Sequence, residues 1–361
     1  ALGIDAVWLS PFMRSPQKDA GYDVSDYKDV DPLFGTLADF DAMVARAHEL
    51  GLRILVDLVP NHTSDQHKWF QAALNEIEGS ASGGAQGSAA RDFYHFKDGL
   101  GENGELPPNN WLSLFGGPAW TRTTNADGTP GQWYLHIFDS SQPDFNWDNP
   151  KVIDEFESVL RFWLDRGVAG FRIDVAHGMV KEAGLPDVVE NNSTMTGVSD
   201  ELKDYQHPFW GQPGVHAINK RFRKVLDEYQ DRAMCGEAWL STIPKMAQWV
   251  RPGEYHQTFN FGYLACPWDK QELRDVVDES LASFGGVGAP STWVLSNHDT
   301  IRHATRMAYD EIPKQGDGIG PGYPQPDEAR GQRIARAASA FMLGLPGGAY
   351  IYQGEELGLP E

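Results

Sequence analysis

At Gly170-Phe171-Arg172-Ile173-Asp174, a short apolar run ends in a carboxylate. Two later stretches repeat this pattern, Met234-Cys235-Gly236-Glu237-Ala238-Trp239 and Leu295-Ser296-Asn297-His298-Asp299. Each apolar run is typical of a buried strand, with its acid at or just past the carboxyl end. Acids at the ends of successive strands that alternate with helices are typical of a β/α barrel active site. A pair of such acids, one ionised and one protonated, is the equipment for breaking a glycosidic bond.

The rest of the chain predicts repeated helix–strand units. The predicted strands are Asp5–Ser10, Leu52–Val59, Ala169–Asp174, Arg232–Glu237, His256–Asn260, Thr292–Ser296 and Ala349–Tyr352. Between the first two, apolar residues at helical spacing predict a helix over Leu37–Leu50, stopped by Gly51. Its apolar positions are Phe40, Met43, Val44, Ala47 and Leu50.

Parallel strands that are joined by helical crossovers close into a barrel when there are eight of them. The seven predicted strands therefore leave one strand unidentified. We expect the missing strand to be the first, because Ala1–Ile4 resembles the tail of the helix that would follow it. A final helix would be due after Glu361. The fold class predicted is therefore α/β, with the natural N-terminus and a C-terminal domain missing.

About a hundred residues between His62 and Val168 lack a clear strand–helix rhythm. Structureless loops of that length are unusual in compact domains, so a folded insertion is the better interpretation. The domain prediction is a catalytic part over 1–62 and 148–361, with an inserted subdomain over 63–147. The tract Gly79–Ala89, rich in Gly, Ser and Ala, is expected to be a mobile tip without a function.

Composition limits the classes of partner. The formal net charge of −21 over 361 residues argues against nucleic acid and anionic membranes, although acid excess also simply aids solubility. The chain shows no membrane span and no leader. Cys235 and Cys266 have no metal-type spacing and are expected to be free thiols. We therefore expect a cytoplasmic protein, while an exported form could have lost its leader.

Seven short sequence motifs, or stations, occur in the order found in glycoside hydrolase family 13, the α-amylase family. The chain resembles the α-glucosidase and oligo-1,6-glucosidase branch of that family. The stations cover nearly the whole chain: Gly21–Tyr27, Asp57–His62, Gln142–Trp147, Gly170–His177, Gly236–Trp239, Ser296–Asp299 and Tyr350–Glu356. The resemblance implies a (β/α)8 TIM barrel with a subdomain inserted after the third strand, in agreement with the gap after His62.

The resemblance assigns the catalytic roles. Asp174 resembles the nucleophile, and Arg172, on the same side of the strand, would keep Asp174 ionised, although a purely structural ion pair is the alternative. Glu237 resembles the general acid/base, whose pKa should be raised by apolar neighbours such as Trp239 and by the charge of Asp174. Asp299 resembles the third acid, which grips sugar hydroxyls and supports an oxocarbenium-like transition state.

Other residues resemble the sugar-binding set. His62 and His298 resemble histidines that bind sugar hydroxyls, although lone histidines are often structural. Tyr22 resembles the aromatic platform under the sugar, and Phe138 another wall of the pocket. Asp19 resembles the acid that, in exo-acting relatives, binds the terminal 4-hydroxyl. Its usual arginine partner would lie beyond the end of this chain.

Some residues are given smaller roles. His177 resembles a weaker subsite contact, and Asp57 resembles an acid that supports the barrel. Asp19, Asp23 and Asp26 do not have the spacing or partners of a metal site, so no metal is predicted. No cofactor is required by the resemblance, and a structural calcium, if any, would belong to an N-terminal segment.

The predicted function is a retaining, exo-acting α-glucosidase that releases glucose from short α-linked, mainly α-1,4, oligosaccharides. Gln142-Pro143-Asp144 resembles exo-enzymes for small substrates, although Phe145 stands where leucine is usual. Val175 is the residue type associated with α-1,6 preference, while Val175–Met179 resembles a maltase-type branch. An oligo-1,6-glucosidase, a transglycosylase or a sucrose-active relative stays open, as do a non-catalytic family member and an inactive fragment. The oligomeric state is left unassigned.

Overall fold

Parallel strands joined by helices make up the framework that carries the candidate site. The computed structural model describes residues 2–75, 90–125, 127–188, 207–309, 319–320 and 322–361. Two compact units are present, Ala1–Ser241 and Thr242–Glu361. The predicted tip Gly79–Ala89 lies outside the described residues.

The first unit is built on four parallel strands. Its strands are β1 (Ala6–Leu9), β2 (Met13–Arg14), β3 (Asp26–Val30), β4 (Arg53–Leu58), β5 (Phe96–Lys97), β6 (Trp120–Thr124), β7 (Pro130–Leu135), β8 (Gly170–Ile173) and β9 (Ala233–Gly236). Its helices are α1 (Leu37–Glu49), α2 (Lys68–Asn75), α3 (Pro150–Asp165) and α4 (Val215–Leu226). Strands β1, β4, β8 and β9 pair in that order, all parallel. Because they are parallel, their carboxyl ends meet at one edge of the sheet.

Local sequence signals explain where the helices begin and end. Thr36 caps α1 in a reciprocal capping box with Asp39, and Gly51, with φ of +73°, follows its C-terminus. Asn149 caps α3 and is followed by proline at the first helical position. The predicted helix is thus confirmed, but its apolar pattern overstated the buried face, because Met43 and Leu50 are exposed.

The segment between β4 and α3 folds with its own sheet. Helix α2 is followed by a three-stranded antiparallel sheet in the order β5-β7-β6. Large apolar side chains, including Trp111, Trp120 and Phe138, form a core cluster here, and Val175 from the end of β8 joins it. Residues between β4 and α3 therefore pack directly on the segment that follows Asp174.

The second unit repeats the strand–helix order. Its strands are β10 (Gln257–Thr258), β11 (Thr292–Val294) and β12 (Gly348–Tyr350), and its helices are α5 (Ile243–Ala247), α6 (Phe261–Ala265), α7 (Lys270–Gly286), α8 (His303–Arg306) and α9 (Glu328–Leu343). Strands β11 and β12 are parallel. All seven predicted strands are thus present, six inside their predicted bounds and the last beginning one residue early, at Gly348.

Across the described ranges, none of the helices has the length and apolarity that crossing a membrane requires.

Several histidines of the first unit are neutral in the folded protein. Burial lowers the pKa of His67 to about 4, and the pKa of His207 also to about 4. Burial, with the nearby charges of Lys181 and Lys97, lowers the pKa of His95 to about 3. The folded protein therefore resists protonation of these rings, whereas the unfolded chain takes up protons near pH 6.5.

We expect stability to fall between pH 7 and pH 5, above the range in which ordinary carboxylates titrate. The unfolded state binds more protons there, so the free energy of unfolding decreases as the pH falls through 6.5 toward the folded pKa. His67 alone would account for a loss of about 2 kcal/mol over this interval. Thermal unfolding at both pH values tests this, with His67→Gln as the variant that should lose less. An unfolding midpoint that is independent of pH would contradict it.

Candidate active site

One buried guanidinium holds three carboxylates at the carboxyl edge of the parallel sheet. Arg172 on β8 places Nη1 2.9 Å from Asp57 Oδ1 and 2.5 Å from Asp174 Oδ1, and Nη2 2.7 Å from Glu237 Oε2. None of these four side chains is more than 6% exposed. Burial lowers the pKa of Arg172, but the carboxylates and Tyr22 raise it well above its ordinary value, so the cation is permanent.

Residues of β1 and β4 hold the Arg172 guanidinium in place. Asp57 Oδ2 accepts hydrogen bonds from the Trp8 indole and the Tyr22 hydroxyl, each at 3.1 Å. The Arg172 guanidinium also lies 5.1 Å from the centre of the Trp8 ring and 5.6 Å from that of Tyr22. Asp57 thus links Trp8 and Tyr22 to Arg172, while its predicted role in supporting the barrel stays a prediction.

Glu237 is surrounded by donors. Its Oε2 accepts from the Val175 amide at 3.0 Å as well as from Arg172, and its Oε1 accepts from the Trp239 indole at 3.0 Å. Burial raises the pKa of Glu237, but Arg172, the Val175 amide, His177 and Trp239 together lower it below its ordinary value. The predicted direction was wrong, because Trp239 acts as a donor to the carboxylate and Arg172 lies beside it.

A strained backbone aims one of these donors. Val175 has φ of 41° and ψ of 41°, the left-handed region that β-branched residues avoid. Such a conformation costs about 1–3 kcal/mol and persists only where its surroundings impose it. Here the Val175 amide reaches the side chain of Glu237, and the Ala176 amide reaches the Glu237 carbonyl at 3.0 Å. The segment after Asp174 is therefore tied to the end of β9.

The charge of this cluster suits a cationic transition state. Three carboxylates share one guanidinium, which leaves an excess of negative charge in a buried site. Fixed charge of this sign stabilises positive charge that develops during a reaction. Two carboxylates beside one cation can supply a nucleophile and a proton-transfer group, the pair that glycoside hydrolysis uses.

A second cluster contains His62, Phe138 and Asp19. The His62 and Phe138 rings are 5.1 Å apart, and His62 Nε2 lies 3.2 Å from the Tyr22 carbonyl. Asp19 Oδ2 accepts from Gln142 Nε2 at 2.7 Å, and the same nitrogen lies 3.2 Å from His62 Nε2. Tyr22 joins the two clusters, since its hydroxyl reaches Asp57 and its carbonyl reaches His62.

The loop that carries Asp19 is held by a buried carboxylate. Asp23 accepts from the Ser15 hydroxyl at 2.7 Å and from the amides of Lys18 and Asp19 at 3.0 and 3.1 Å. The turn from Asp19 to Tyr22 contains Gly21, whose φ is +101°. Any other residue there would be strained, and its Cβ would lie 2.7 Å from the Pro11 carbonyl oxygen. Asp23 therefore has a structural role in this loop.

The third acid belongs to the second unit. Asp299 follows β11, its side chain is 39% exposed, and its carboxylate lies 3.5 Å from His298 Nε2. Its amide donates to the Asn297 side chain at 2.9 Å. That Asp299 and His298 share one active site with Asp174 and Glu237 stays a prediction.

The structure adds partners that the sequence analysis missed. Gln142 stands between Asp19 and His62, and Trp8 holds Asp57, yet neither was singled out as a site residue. Gln142 lay within a recognised station, which was the available signal, whereas nothing in the local sequence marks Trp8. His177 is buried and stacks on Trp210 with ring centres 4.3 Å apart. Within the described part of the chain, no group of three or more His, Cys, Asp or Glu residues could hold a metal ion.

Known proteins resemble this chain along its whole length. Residues 1–361 match the model of the alpha amylase catalytic domain. A probable alpha-glucosidase of Rhizobium meliloti (strain 1021) is 38% identical, over 100% of this chain and 61% of that protein. An oligo-1,6-glucosidase of Heyndrickxia coagulans is 34% identical, over 99% of this chain and 60% of that protein.

A solved structure leads to the same family. The alpha-glucosyl transfer enzyme XgtA is 35% identical with a TM-score of 0.79, over 99% of this chain and 62% of that one. The chain thus spans about three fifths of the length of the curated relatives described above. These matches and the ordered stations agree, and the chain belongs to the α-amylase family, glycoside hydrolase family 13.

Proposed function

We propose that the whole protein is a retaining, exo-acting α-glucosidase that removes glucose from the non-reducing end of short α-linked oligosaccharides. The observation that carries this proposal is the shared contact of Asp174 and Glu237 with Arg172. Two carboxyls bonded to one guanidinium are held close together. That arrangement supports the separation of about 5–5.5 Å used by retaining enzymes, in preference to the wider gap that admits a water.

In the proposed mechanism, an Asp174 carboxylate oxygen attacks the anomeric carbon as the glycosidic C–O bond breaks. The proton on Glu237 passes to the leaving oxygen, and Glu237 then takes a proton from the water that releases glucose. The free site holds Glu237 ionised against Arg172. Glu237 must therefore leave Arg172 and gain a proton when substrate enters, while Asp57 and Asp174 keep the guanidinium paired.

The remaining catalytic and architectural assignments are part of the same proposal. Asp299 would grip sugar hydroxyls, with His298 beside it. The strands would complete a (β/α)8 barrel in the whole protein, with 63–147 as the inserted subdomain. The family membership and the parallel strand–helix order support both statements.

The exo preference rests on Asp19. Its carboxylate lies beside Gln142, in the cluster with His62 and Phe138, where it could bind a terminal 4-hydroxyl. The Gln142 amide is a neutral hydrogen-bond donor to this carboxylate. Tyr22 and Phe138 would form apolar walls against the sugar ring.

The linkage is the finer part of the proposal. We favour α-1,4 substrates such as maltose, with α-1,6 hydrolysis, sucrose use or glucosyl transfer as alternatives. Glucosyl transfer stays among the alternatives because the chain is similar to an alpha-glucosyl transfer enzyme. We also propose a cytoplasmic location, supported by two buried cysteines that are free thiols.

The test is the anomer that is released first. Proton NMR of p-nitrophenyl α-glucoside and sucrose turnover by the whole protein should show α-glucose before mutarotation, because their leaving groups contribute no glucose and two inversions at one carbon restore its configuration. A first product with β configuration would overturn the retaining assignment. Cleavage of soluble starch at internal bonds would overturn the exo assignment alone.

A further inference from the structure

Lys181 is a buried cation whose charge the proposed mechanism does not use. Its side chain is 1% exposed. The ammonium lies 2.7 Å from Asp144 Oδ2 and 2.8 Å from Asn61 Oδ1, and it also donates to the Gly178 carbonyl. An ammonium has three donors and no acceptor, so these three partners satisfy it completely.

This arrangement determines which way the Asn61 amide points. Lysine can only donate and an ionised carboxylate can only accept, so the Asn61 oxygen must face Lys181 and its nitrogen must face Asp144. Asn61 Nδ2 lies 3.2 Å from Asp144 Oδ2 and 3.1 Å from His62 Nδ1. If the amide were reversed, its NH₂ group would face the Lys181 ammonium and its oxygen would face the Asp144 carboxylate. Asn61 therefore donates to His62 Nδ1.

The tautomer of His62 follows from that bond. A ring nitrogen that accepts carries no proton, so the proton of neutral His62 sits on Nε2, where the Tyr22 carbonyl accepts it at 3.2 Å. Gln142 Nε2, also 3.2 Å away, favours the other tautomer. That tautomer would lose the Tyr22 bond and set the Nδ1 proton against the Asn61 amide. Two bonds against one decide for the proton on Nε2.

Charge near the ring keeps His62 neutral. Burial lowers the pKa of His62, Asp144 and Asp19 oppose that effect, and Lys181 adds to it. Lys181 forms an ion pair with Asp144, one of these two acids. Without Lys181, Asp144 would be an unpaired buried carboxylate that favours the imidazolium.

We propose that Lys181 is a positioning residue that acts through Asn61 to hold His62 neutral with its proton on Nε2. In the proposed complex, the Nε2 proton would be shared between the Tyr22 carbonyl and a sugar hydroxyl oxygen. The sugar contact rests on the proposed function, whereas the tautomer does not. The two can therefore fail separately.

The experiment is nitrogen NMR of the whole protein labelled with ¹⁵N-histidine, without substrate, with the His62 signals assigned by their loss in His62→Gln. We expect a protonated Nε2 and an unprotonated Nδ1 from pH 8 down to pH 6. In Lys181→Met, we expect a mixture of tautomers at pH 8 and protonation of the ring at a higher pH. Lys151→Met, at an exposed lysine, is the matched control and should leave the signals unchanged.

A second variant keeps the proposal testable if Lys181→Met fails to fold. Asn61→Leu retains the Lys181–Asp144 pair but removes the donor to Nδ1, so it should also release the tautomer. A proton on Nδ1 in the unmodified protein, or unchanged His62 signals in folded Lys181→Met or Asn61→Leu, would overturn the proposal. If the protein is active, KM in Lys181→Met should rise about tenfold, the size expected for one lost hydrogen bond. Inactivity with the expected NMR result would count against the proposed function only.

Discussion

Replacing Asp174 with alanine is expected to lower kcat/KM for α-glucosides by about 10⁴-fold or more in the whole protein. The carboxylate that forms the covalent intermediate is then missing, and no other acid of the cluster is placed to substitute for it. Arg172 keeps Asp57 and Glu237 as partners, so the variant should still fold. Turnover of p-nitrophenyl α-glucoside and maltose measures the loss, and Asp148→Ala, at an exposed acid, is the control.

Azide gives the Asp174 variant a sharper readout. A small anion can enter the space left by the carboxylate and attack α-glucosyl fluoride from that face. The product would be β-glucosyl azide, with inversion, so azide should not restore the natural anomer. Formation of α-glucosyl azide, or retention of more than a hundredth of the activity, would remove Asp174 from the nucleophile role.

The strands could be predicted because each is a short apolar run bounded by turn residues. Gly170–Ile173 and Ala233–Gly236 are buried runs with a carboxylate directly after them, so both the strand and the position of its acid are local properties. The exposed Met43 and Leu50 show the limit of such patterns. Helical spacing identifies a face, but how far that face is covered depends on what packs against it.

The partners within the site could not be predicted in the same way. Arg172 and Asp57 are 115 residues apart, and Gln142 and Asp19 are 123 apart. No local pattern joins such residues, and only the order of the parallel strands brings Asp57 beside Arg172. The predicted ion pair between Arg172 and Asp174 was found because both residues lie on one strand, two positions apart.

The error in the pKa of Glu237 has the same origin. Its sequence neighbour Trp239 appeared apolar, which would raise the pKa, but the indole nitrogen donates to Oε1. Arg172, from another strand, adds a charge that sequence position does not reveal. Burial raises the pKa of Glu237 and the charge of Arg172 lowers it. Which effect is larger depends on the distances between these groups, which the sequence does not give.

Replacing Glu237 with glutamine is expected to affect substrates according to their leaving groups. Glutamine cannot donate a proton to the glycosidic oxygen, so kcat/KM for maltose should fall by about 10³-fold, within the range for general acid catalysis. An activated aryl glucoside such as 2,4-dinitrophenyl α-glucoside leaves without protonation, and its kcat/KM should fall less than about tenfold. Since kcat/KM reports the steps up to glycosyl transfer, the comparison isolates the acid role.

The free-site geometry makes this prediction specific to Glu237. Arg172, the Val175 amide and Trp239 all donate to Glu237, so the carboxyl must exchange a bound cation for a proton before it can act. The glutamine variant keeps the shape of the side chain and removes both the charge and the acid. The basic limb in the pH dependence of maltose hydrolysis, where a general acid loses its proton, should therefore change in this variant, while Glu102→Gln, at an exposed glutamate, should leave it unchanged. Equal losses on maltose and on the activated glucoside would mean that proton donation comes from another group, and the Val175, Trp239 and Arg172 contacts would then hold Glu237 as a permanent anion.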